Sequence, residues 1–463
     1  MSEAPAQPPG AEPPPGPVSE PELLVSSTIG GGGRLLVFRA VQFAFLFLLS
    51  LIATRALGPS GRGQYALALN LATVVWVVSH LSVEQSVARM LARGDATAVE
   101  LCHLSSAFSL VLGAIGMAIT LAIGLPARGA LLGDASPATV ALAAATIPFT
   151  LIGQMATALL LRMGGALRTY GWIIAIGAAV QFALVLGLET GIGLTPALAM
   201  TAAAVTIALV AIALALALAR RVGLRALTPM TEWRLVRSAL GIGLRLQPAS
   251  IALWLNLKID LLLVGLLVTA RQAGLYSLSA NLAEIVFIAI STVALAALEA
   301  QTRADTKAAL AYTLDFIGQS LAIAVALALS AALIAYPFVV LVYGSVWAGS
   351  VVPFVILMPA VLALAIEGPS REMLIRVASP LVISVASGAG LALNVGLNLV
   401  LIPAIGIAGA SIASVASYWL AGGLMLRILS RHGEVPMRRA LRLPRRDDAL
   451  PLLLRRRLRG ACG

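Results

Sequence analysis

Long apolar runs separated by short polar connections dominate the sequence from residue 34 onward. Each run holds roughly 20 to 28 residues, enough for an α-helix to cross a hydrocarbon core about 30 Å thick. The pattern therefore predicts an all-α polytopic membrane protein with about twelve transmembrane helices. The predicted spans are 34–57, 64–92, 101–125, 139–162, 167–189, 195–219, 238–268, 272–299, 308–336, 347–370, 378–402 and 405–429.

The composition agrees with a membrane protein and excludes several other classes. Hydrophobic residues make up 60% of the chain and charged residues 11%, whereas a soluble domain is nearer half apolar and a quarter charged. Cys102 and Cys462 form neither a disulfide framework nor a metal-ligand spacing, so we expect no metal and no cofactor. The phosphate-loop pattern GxxxxGK[ST] does not occur, so direct use of ATP is not expected.

The distribution of positive charge predicts the topology. The net charge is +12, and arginines concentrate in the connections that follow even-numbered spans and in the C-terminal segment 430–463. The positive-inside rule then places both termini in the cytoplasm. We expect the Arg-rich segment to rest on anionic membrane lipid rather than to bind nucleic acid. Residues 1–33 are rich in Pro and Gly and are predicted to form a disordered cytoplasmic tail rather than a signal peptide.

Two ten-residue stretches repeat each other at a distance. Residues 63–72 read GQYALALNLA and residues 274–283 read GLYSLSANLA, an offset of 211 residues. The same offset pairs Arg34 with Arg245, Tyr65 with Tyr276, Asn70 with Asn281, Gly133 with Gly344 and Pro148 with Pro359. Chance matches of small residues are common in membrane helices, so the matches of Arg, Tyr, Asn and Pro carry the most weight, and together they indicate an internal repeat.

The offset also predicts how the halves are oriented. It moves the first helix onto the seventh, and a shift by six spans preserves direction across the membrane. The two halves are therefore predicted to be parallel repeats around a central cavity, as in many carriers. The predicted units are an N-terminal six-helix half, 34–219, a basic cytoplasmic linker, 220–237, and a C-terminal six-helix half, 238–429.

Charged side chains inside the spans are costly and are expected to face a cavity or a partner. The cations lie on the first and seventh predicted helices, which are equivalent in the two halves. Several converging cations suit a doubly charged anion, and the planar guanidinium fork suits phosphate. The candidate residues for binding an anionic substrate are Arg34, Arg39, Gln42, Arg245, Asn256 and Lys258. Arg34 and Arg245 lie near the inner surface, where they also fit a role as topology anchors.

A second set of ionisable residues is a candidate for coupling transport to an ion. Its members are His80, Glu84, Asp260 and Glu284. His80 and Glu84 are four residues apart and share a face of the predicted second helix. Structural pairing is the alternative, with His80 and Glu84 satisfying each other, and Lys258 and Asp260 each pairing with another helix.

Three motifs resemble one family. They are IATRALGPSGRGQYALALNLATVV at 52–75, YPFVVLVYGSVWAGSVVPFVILMPA at 336–360 and LNLVLIPAIGIAGASIASVASYWL at 397–420. They resemble bacterial oligosaccharide flippases of the Wzx type, within the superfamily that includes multidrug extruders and the lipid II flippase. The resemblance covers 34–429.

The resemblance implies a MATE-like fold and a function. The expected function is movement of a polyprenyl-diphosphate-linked oligosaccharide from the cytoplasmic to the outer leaflet of the bacterial inner membrane by alternating access. Relatives carry cavity arginines on helices one and seven, which Arg39, Arg245 and Lys258 would match. The expected partners are membrane lipid, the lipid-linked glycan and other polysaccharide-assembly proteins.

Other functions stay open at this point. A cation-coupled multidrug or other lipid exporter is the alternative on the same fold, and it would use an acidic or aromatic cavity. A membrane enzyme of glycan assembly is not expected, because the outward connections are short and carry no sugar-nucleotide motif.

Overall fold

The computed structural model describes the backbone of residues 20–230, 232–303, 306–432 and 437, and the side chains of 38, 40–230, 232–287, 309–310, 313–379, 381–432 and 437. This part of the chain forms thirteen α-helices and no β-strand. In chain order they are α1 (Glu20–Ser79), α2 (Val83–Arg93), α3 (Ala98–Gly124), α4 (Arg128–Leu131), α5 (Pro137–Arg162), α6 (Leu167–Ile192), α7 (Pro196–Val222), α8 (Trp233–Leu267), α9 (Ala270–Arg303), α10 (Thr306–Tyr343), α11 (Val351–Val377), α12 (Pro380–Ile405) and α13 (Ile407–His432).

Short capping sequences determine where several helices begin. Thr97 and Glu100 form a reciprocal capping box at the start of α3. Ser136, Thr195 and Ser379 cap α5, α7 and α12 through their side-chain oxygens, and each precedes a proline in the first helical position. A hydroxyl cap followed by proline satisfies one orphan N–H and removes another, so these starts are encoded locally.

The number of membrane-crossing segments agrees with the sequence. Ten helices of the described chain are long and apolar enough to span a membrane. The first of them, Ala40–Ser79, contains two predicted spans, because α1 bends at Gly58, whose φ of 62° suits glycine. Counting that helix as two and adding α9, which corresponds to the predicted span 272–299, gives twelve.

Two differences from the predicted map concern the first two spans. The backbone of α1 already begins at Glu20, inside the segment expected to be a disordered tail, and residues 1–19 lie outside the described residues. The predicted span 64–92 is not one continuous helix, because α1 ends at Ser79 and α2 begins at Val83. Contacts from α8 explain this interruption, as described below.

The packing of helices repeats between the halves. In the first half α5 packs against α3 and α7, and α6 packs against α1 and α7. In the second half α11 packs against α10 and α13, and α12 packs against α8 and α13. The first residues of α7 and α13, Pro196 and Ile407, are separated by the same 211 residues as the sequence repeat. The all-α fold with two parallel halves is therefore confirmed, while the exact boundaries of linker and tails stay predictions.

Large apolar side chains cover the outside of the molecule. Leu333 is 83% exposed, Leu341 76% and Ile192 73%. A soluble protein would hide such residues, whereas a helix bundle in a bilayer presents them to lipid. The protein is thus a multi-pass membrane protein.

Candidate functional site

The two copies of the ten-residue repeat cross each other at their glycines. A Cβ atom on Gly63 would lie 1.9 Å from the carbonyl oxygen of Ala270, and one on Gly274 would lie 1.8 Å from that of Pro59. Pro59 and Ala270 are themselves related by the 211-residue offset, so the contact is symmetric. Only glycine permits this approach. The repeated ten-residue stretch therefore forms the junction where the two halves touch.

A buried arginine lies beside this crossing. Arg62 is 6% exposed; its Nε donates to Ser277 Oγ at 3.1 Å and its Nη1 donates to Thr54 Oγ1. Both partners are neutral, and Arg62 forms no salt bridge within the described residues. An unpaired buried cation is costly, and its bond to Ser277 connects the first half to the second. In the predicted map Arg62 lies in the connection between the first two spans, so it was not among the candidates for substrate binding.

Lys258, on α8, also lies where the two halves meet. Its Nζ is 2.6 Å from Glu284 Oε1 of α9, and the two side chains are 28% and 46% exposed. Asn70 of α1 donates to the Lys258 carbonyl oxygen at 2.7 Å, so the ion pair lies where α1, α8 and α9 meet. Lys258 and Glu284, predicted for different roles, are thus partners, and their exposure leaves the pair accessible to exchange with a ligand.

The interruption between α1 and α2 is held by α8. Leu81 and Ser82 both have φ near 50°, outside the helical region. Gln247 Nε2 donates to the carbonyl oxygens of Val77 and Val78, at 2.8 and 3.2 Å, and its Oε1 accepts from Ser82 Oγ at 2.8 Å. These are the carbonyl groups that would otherwise accept from residues 81 and 82 in a continuous helix. One glutamine therefore compensates the break, which a local reading of the apolar run could not reveal.

His80 and Glu84 flank this interruption rather than sharing a continuous helix face. His80 Nδ1 is 3.6 Å from Glu84 Oε2, but it accepts a hydrogen bond from the Ser82 backbone N–H at 2.7 Å. This geometry assigns the ring proton to Nε2, which lies 3.5 Å from Ser250 Oγ. Glu84 Oε2 has no hydrogen-bond partner among the described residues. The two side chains lie within ion-pair distance, so structural pairing of His80 with Glu84 and a coupling role both stay predictions.

A cavity of about 690 Å³ lies within the first half and is closed on one side by α8. Gln42, His80 and Glu84 line it, together with Ser250 and Trp254 of α8. Gln154 of α5 and Gln181 of α6 also line it, as does Trp76. Among the described residues that line it, none is Arg or Lys. Its described lining is therefore rich in amides and aromatic rings with one carboxylate, and the cationic cavity predicted from the sequence stays a prediction.

Asp260 and Asn256 point into the second half. Asp260 is buried and accepts from Tyr276 OH, from Ser414 Oγ at 3.0 Å and from the Leu261 N–H at 2.7 Å. Asn256 is 4% exposed, and its carbonyl oxygen accepts from the Tyr418 hydroxyl at 3.2 Å. The two residues share a face of α8, as predicted, but this face is turned away from the first-half cavity.

Of the remaining cationic candidates, the structure describes the side chain of Arg245 only. Arg245 is exposed on α8 and makes no recorded hydrogen bond or ion pair with the described residues. The side chains of Arg34 and Arg39 lie outside the described residues. The site roles of all these residues stay predictions.

Comparison with known proteins identifies related folds. A family model described as polysaccharide biosynthesis protein matches residues 52–352. No curated protein matches the sequence. The lipid II flippase MurJ in an inward closed conformation superimposes with a TM-score of 0.65 at 11% identity, covering 88% of this chain and 89% of MurJ.

Two further solved structures share the architecture. An inward-facing multidrug resistance MATE transporter of the MOP superfamily gives a TM-score of 0.61 at 13% identity, covering 86% of this chain and 99% of that one. A MOP superfamily transporter from Pyrococcus furiosus gives 0.58 at 14% identity, covering 87% and 94%. The predicted MATE-like fold is confirmed, and the expectation of a transporter rather than an enzyme agrees with these relatives.

Proposed function

The chain belongs to the polysaccharide biosynthesis protein family, and we propose that it flips a polyprenyl-diphosphate-linked oligosaccharide from the cytoplasmic to the outer leaflet of a bacterial inner membrane. The observation that carries the proposal is the presence of two cations, Arg62 and Lys258, where the two halves meet. Asn70, whose side chain donates to the Lys258 carbonyl oxygen, is eight residues from Arg62 on α1, a rise of about 12 Å along that helix. A diphosphate passing between the halves would meet both.

The physical task is to carry a diphosphate through hydrocarbon. Unpaired, its transfer would cost tens of kcal/mol. The cations lower this barrier while the prenyl chain stays in lipid, and rocking of the halves about the glycine crossing exposes the site to each side in turn. An inside-negative potential favours outward movement of two negative charges by about 5 kcal/mol per 100 mV.

The ion pair of Lys258 also suggests how transport is coupled. When a substrate phosphate binds the Lys258 ammonium group, Glu284 loses its partner. An unpaired carboxylate in the membrane then binds a proton or a metal cation. Substrate binding and cation binding would then occur together. Asp260, Glu84 and His80 are the further candidates for this coupling, and both His80 and Asp260 are buried.

The test is flipping in liposomes. We would reconstitute the full chain and follow a fluorescent polyprenyl diphosphate glycan by its loss of protection from an external quencher. The double variant Lys258→Gln with Glu284→Gln keeps shape and removes both charges, and we expect flipping to fall tenfold or more, about 1.4 kcal/mol. Arg271→Gln, at an exposed arginine in the first turn of α9, is the matched control and should retain the native rate.

A native rate in the double variant, with folding verified by thermal melting, would contradict the proposal. So would the absence of flipping by the native chain with several glycans and an imposed potential.

A second function is favoured by one specific observation. The described lining of the cavity presents the carboxylate of Glu84 beside Trp76 and Trp254 and holds no Arg or Lys, which suits an aromatic or amine-bearing organic cation. Export of such cations is therefore the competing proposal. It predicts that tetraphenylphosphonium binds to the native protein and that Glu84→Gln abolishes this binding.

A further inference from the structure

The cavity of the first half carries amide side chains that take no part in the proposed diphosphate site at Arg62 and Lys258. Gln154 and Gln181 project into it from α5 and α6, and neither makes a hydrogen bond with any residue that the structure describes. Each amide offers two donor hydrogens and two acceptor lone pairs. Two uncommitted amides facing one space are suited to a neutral ligand with many hydroxyl or acetamido groups.

One wall of the same cavity is aromatic. The Trp76 and Trp254 rings meet edge to face, with centroids 5.7 Å apart and an interplanar angle of 79°. Indole faces bind the apolar C–H faces of sugar rings, and amides bind the hydroxyl edges of the same rings. Trp76 is 94% buried, and its Nε1 has no partner among the described residues, so its donor is also unused. The volume of about 690 Å³ is within the range of small-molecule sites, about 300–1,000 Å³.

The position of the cavity fits a glycan joined to a diphosphate. Trp254 precedes Lys258 by four residues on α8, which is about 6 Å along the helix. The first sugar of a lipid-linked glycan is bonded directly to the diphosphate. One molecule can therefore place its phosphates at Lys258 and its first sugar beside Trp254.

The internal repeat isolates these residues as specific to one half. At the offset of 211 residues, Gln154 corresponds to Ala365 and Gln181 corresponds to Ala392. The two halves share their helix arrangement, so a half can fold without the two amides. They are an addition to the first half alone, as a binding site used once per molecule would be.

We propose that this cavity is the subsite for the first sugar of the transported glycan, and that it selects uncharged and acetamido sugars against sugar acids. The inference rests on the proposed flipping of a diphosphate-linked glycan and adds where its sugar binds. Selection against uronic acids follows because a sugar carboxylate would face Glu84 with no Arg or Lys among the lining residues that the structure describes.

The test measures what the sugar adds to binding. Three short-chain prenyl diphosphates are titrated into the purified full chain: the bare lipid, the lipid with N-acetylglucosamine and the lipid with glucuronic acid. The sugar contribution is the ratio of the Kd of the bare lipid to the Kd of the glycosylated one. We expect a ratio of about ten or more for N-acetylglucosamine and no gain for glucuronic acid.

Paired variants then locate the contribution. Gln154→Leu with Gln181→Leu should bring the N-acetylglucosamine ratio close to one, whereas Gln272→Leu, an amide at the start of α9 outside the cavity, should keep the native ratio. Glu84→Gln should raise the affinity for the glucuronic acid lipid. Size-exclusion profiles and melting temperatures verify that each variant is folded.

The outcomes separate this inference from the function on which it rests. A native ratio in the double Leu variant overturns the subsite, while binding of the bare lipid that depends on Lys258 leaves the flippase proposal intact. Failure of all three lipids to bind the native chain overturns both. Binding of tetraphenylphosphonium in place of the glycosylated lipid assigns the cavity to organic cations and also overturns the subsite.

Discussion

The two halves share one frame but use their interiors differently. The first half contains a cavity beside an interrupted helix, and two of its lining amides, Gln154 and Gln181, have no hydrogen-bond partner in the described chain. In the second half Asn394 and Asn398 are fully buried and bond to each other and to Ser417. The comparison indicates that residues common to both halves form the scaffold, whereas positions at which the halves differ determine the function of each half.

The same contrast holds for the repeated tyrosines. Tyr276 donates to Asp260 deep inside the second half. The equivalent Tyr65 lies in an apolar cluster that contains Leu49, the residue at the position of Asp260. An identical residue thus serves a polar network in one half and apolar packing in the other, so identity within a repeat does not imply identity of role.

The largest expected effect concerns the glycine crossing, where the halves should behave alike. Gly63→Ala and Gly274→Ala each place a Cβ within 2 Å of a carbonyl oxygen of the other half. We expect each to destabilise the protein by about 3 kcal/mol or more, and by similar amounts. Thermal unfolding in detergent measures this. Gly187→Ala, which meets no atom within 4 Å, is the control; equal melting temperatures for all three would refute the symmetric junction.

The interiors should respond oppositely to loss of an amide. Asn394→Leu removes the Oδ1 that accepts from Asn398 and the Nδ2 that donates to Ser417, and we expect a cost of about 2–3 kcal/mol. Gln154→Leu removes an amide that has no partner in the described chain, and stability should change by less than about 0.5 kcal/mol. Denaturant unfolding of the two variants gives the difference. A larger loss for Gln154→Leu would show that the cavity is part of the structural core.

The helix interruption provides a smaller effect confined to the first half. Gln247→Leu removes the donor for Val77 and Val78 and the acceptor for Ser82, and should cost about 2 kcal/mol. Hydrogen exchange should accelerate at residues 77–86. The equivalent stretch of α9 is continuous and should be unchanged. Uniform acceleration in both stretches would mean that Gln247 acts on global stability only.

The smallest effect compares the two tyrosines. Tyr276→Phe removes one of three donors to Asp260 and should cost about 1 kcal/mol, whereas Tyr65→Phe should cost less than about 0.5 kcal/mol. Melting temperatures of the two single variants are sufficient to measure it. Equal losses would indicate that the Tyr65 hydroxyl also has a buried partner.

The helices and their division into two halves could be predicted well from the sequence, because they depend on local patterns that occur in both halves. From the third span onward hydropathy located each helix to within seven residues at either end, and hydroxyl–proline caps at Ser136, Thr195 and Ser379 encoded helix starts. The offset of 211 residues predicted the parallel halves, which the crossing of Gly63 and Gly274 shows directly.

The site was less predictable because it depends on contacts distant in sequence. The interruption after Ser79 depends on Gln247, and the burial of Arg62 depends on Ser277, so neither is visible in its own segment. A signal was nevertheless present. Comparing the halves position by position reveals Gln154 opposite Ala365 and Gln181 opposite Ala392, and such departures from the repeat indicate the cavity.

Photo-crosslinking tests the central claim most directly. A prenyl diphosphate carrying a diazirine on its first sugar would be bound to the native chain, irradiated, and the adducts mapped by mass spectrometry. The account predicts adducts on α5, α6 and α8 around Gln154, Gln181 and Trp254, and none around the equivalent Ala365 and Ala392. Equal labelling of both halves, or labelling confined to the second, would contradict it.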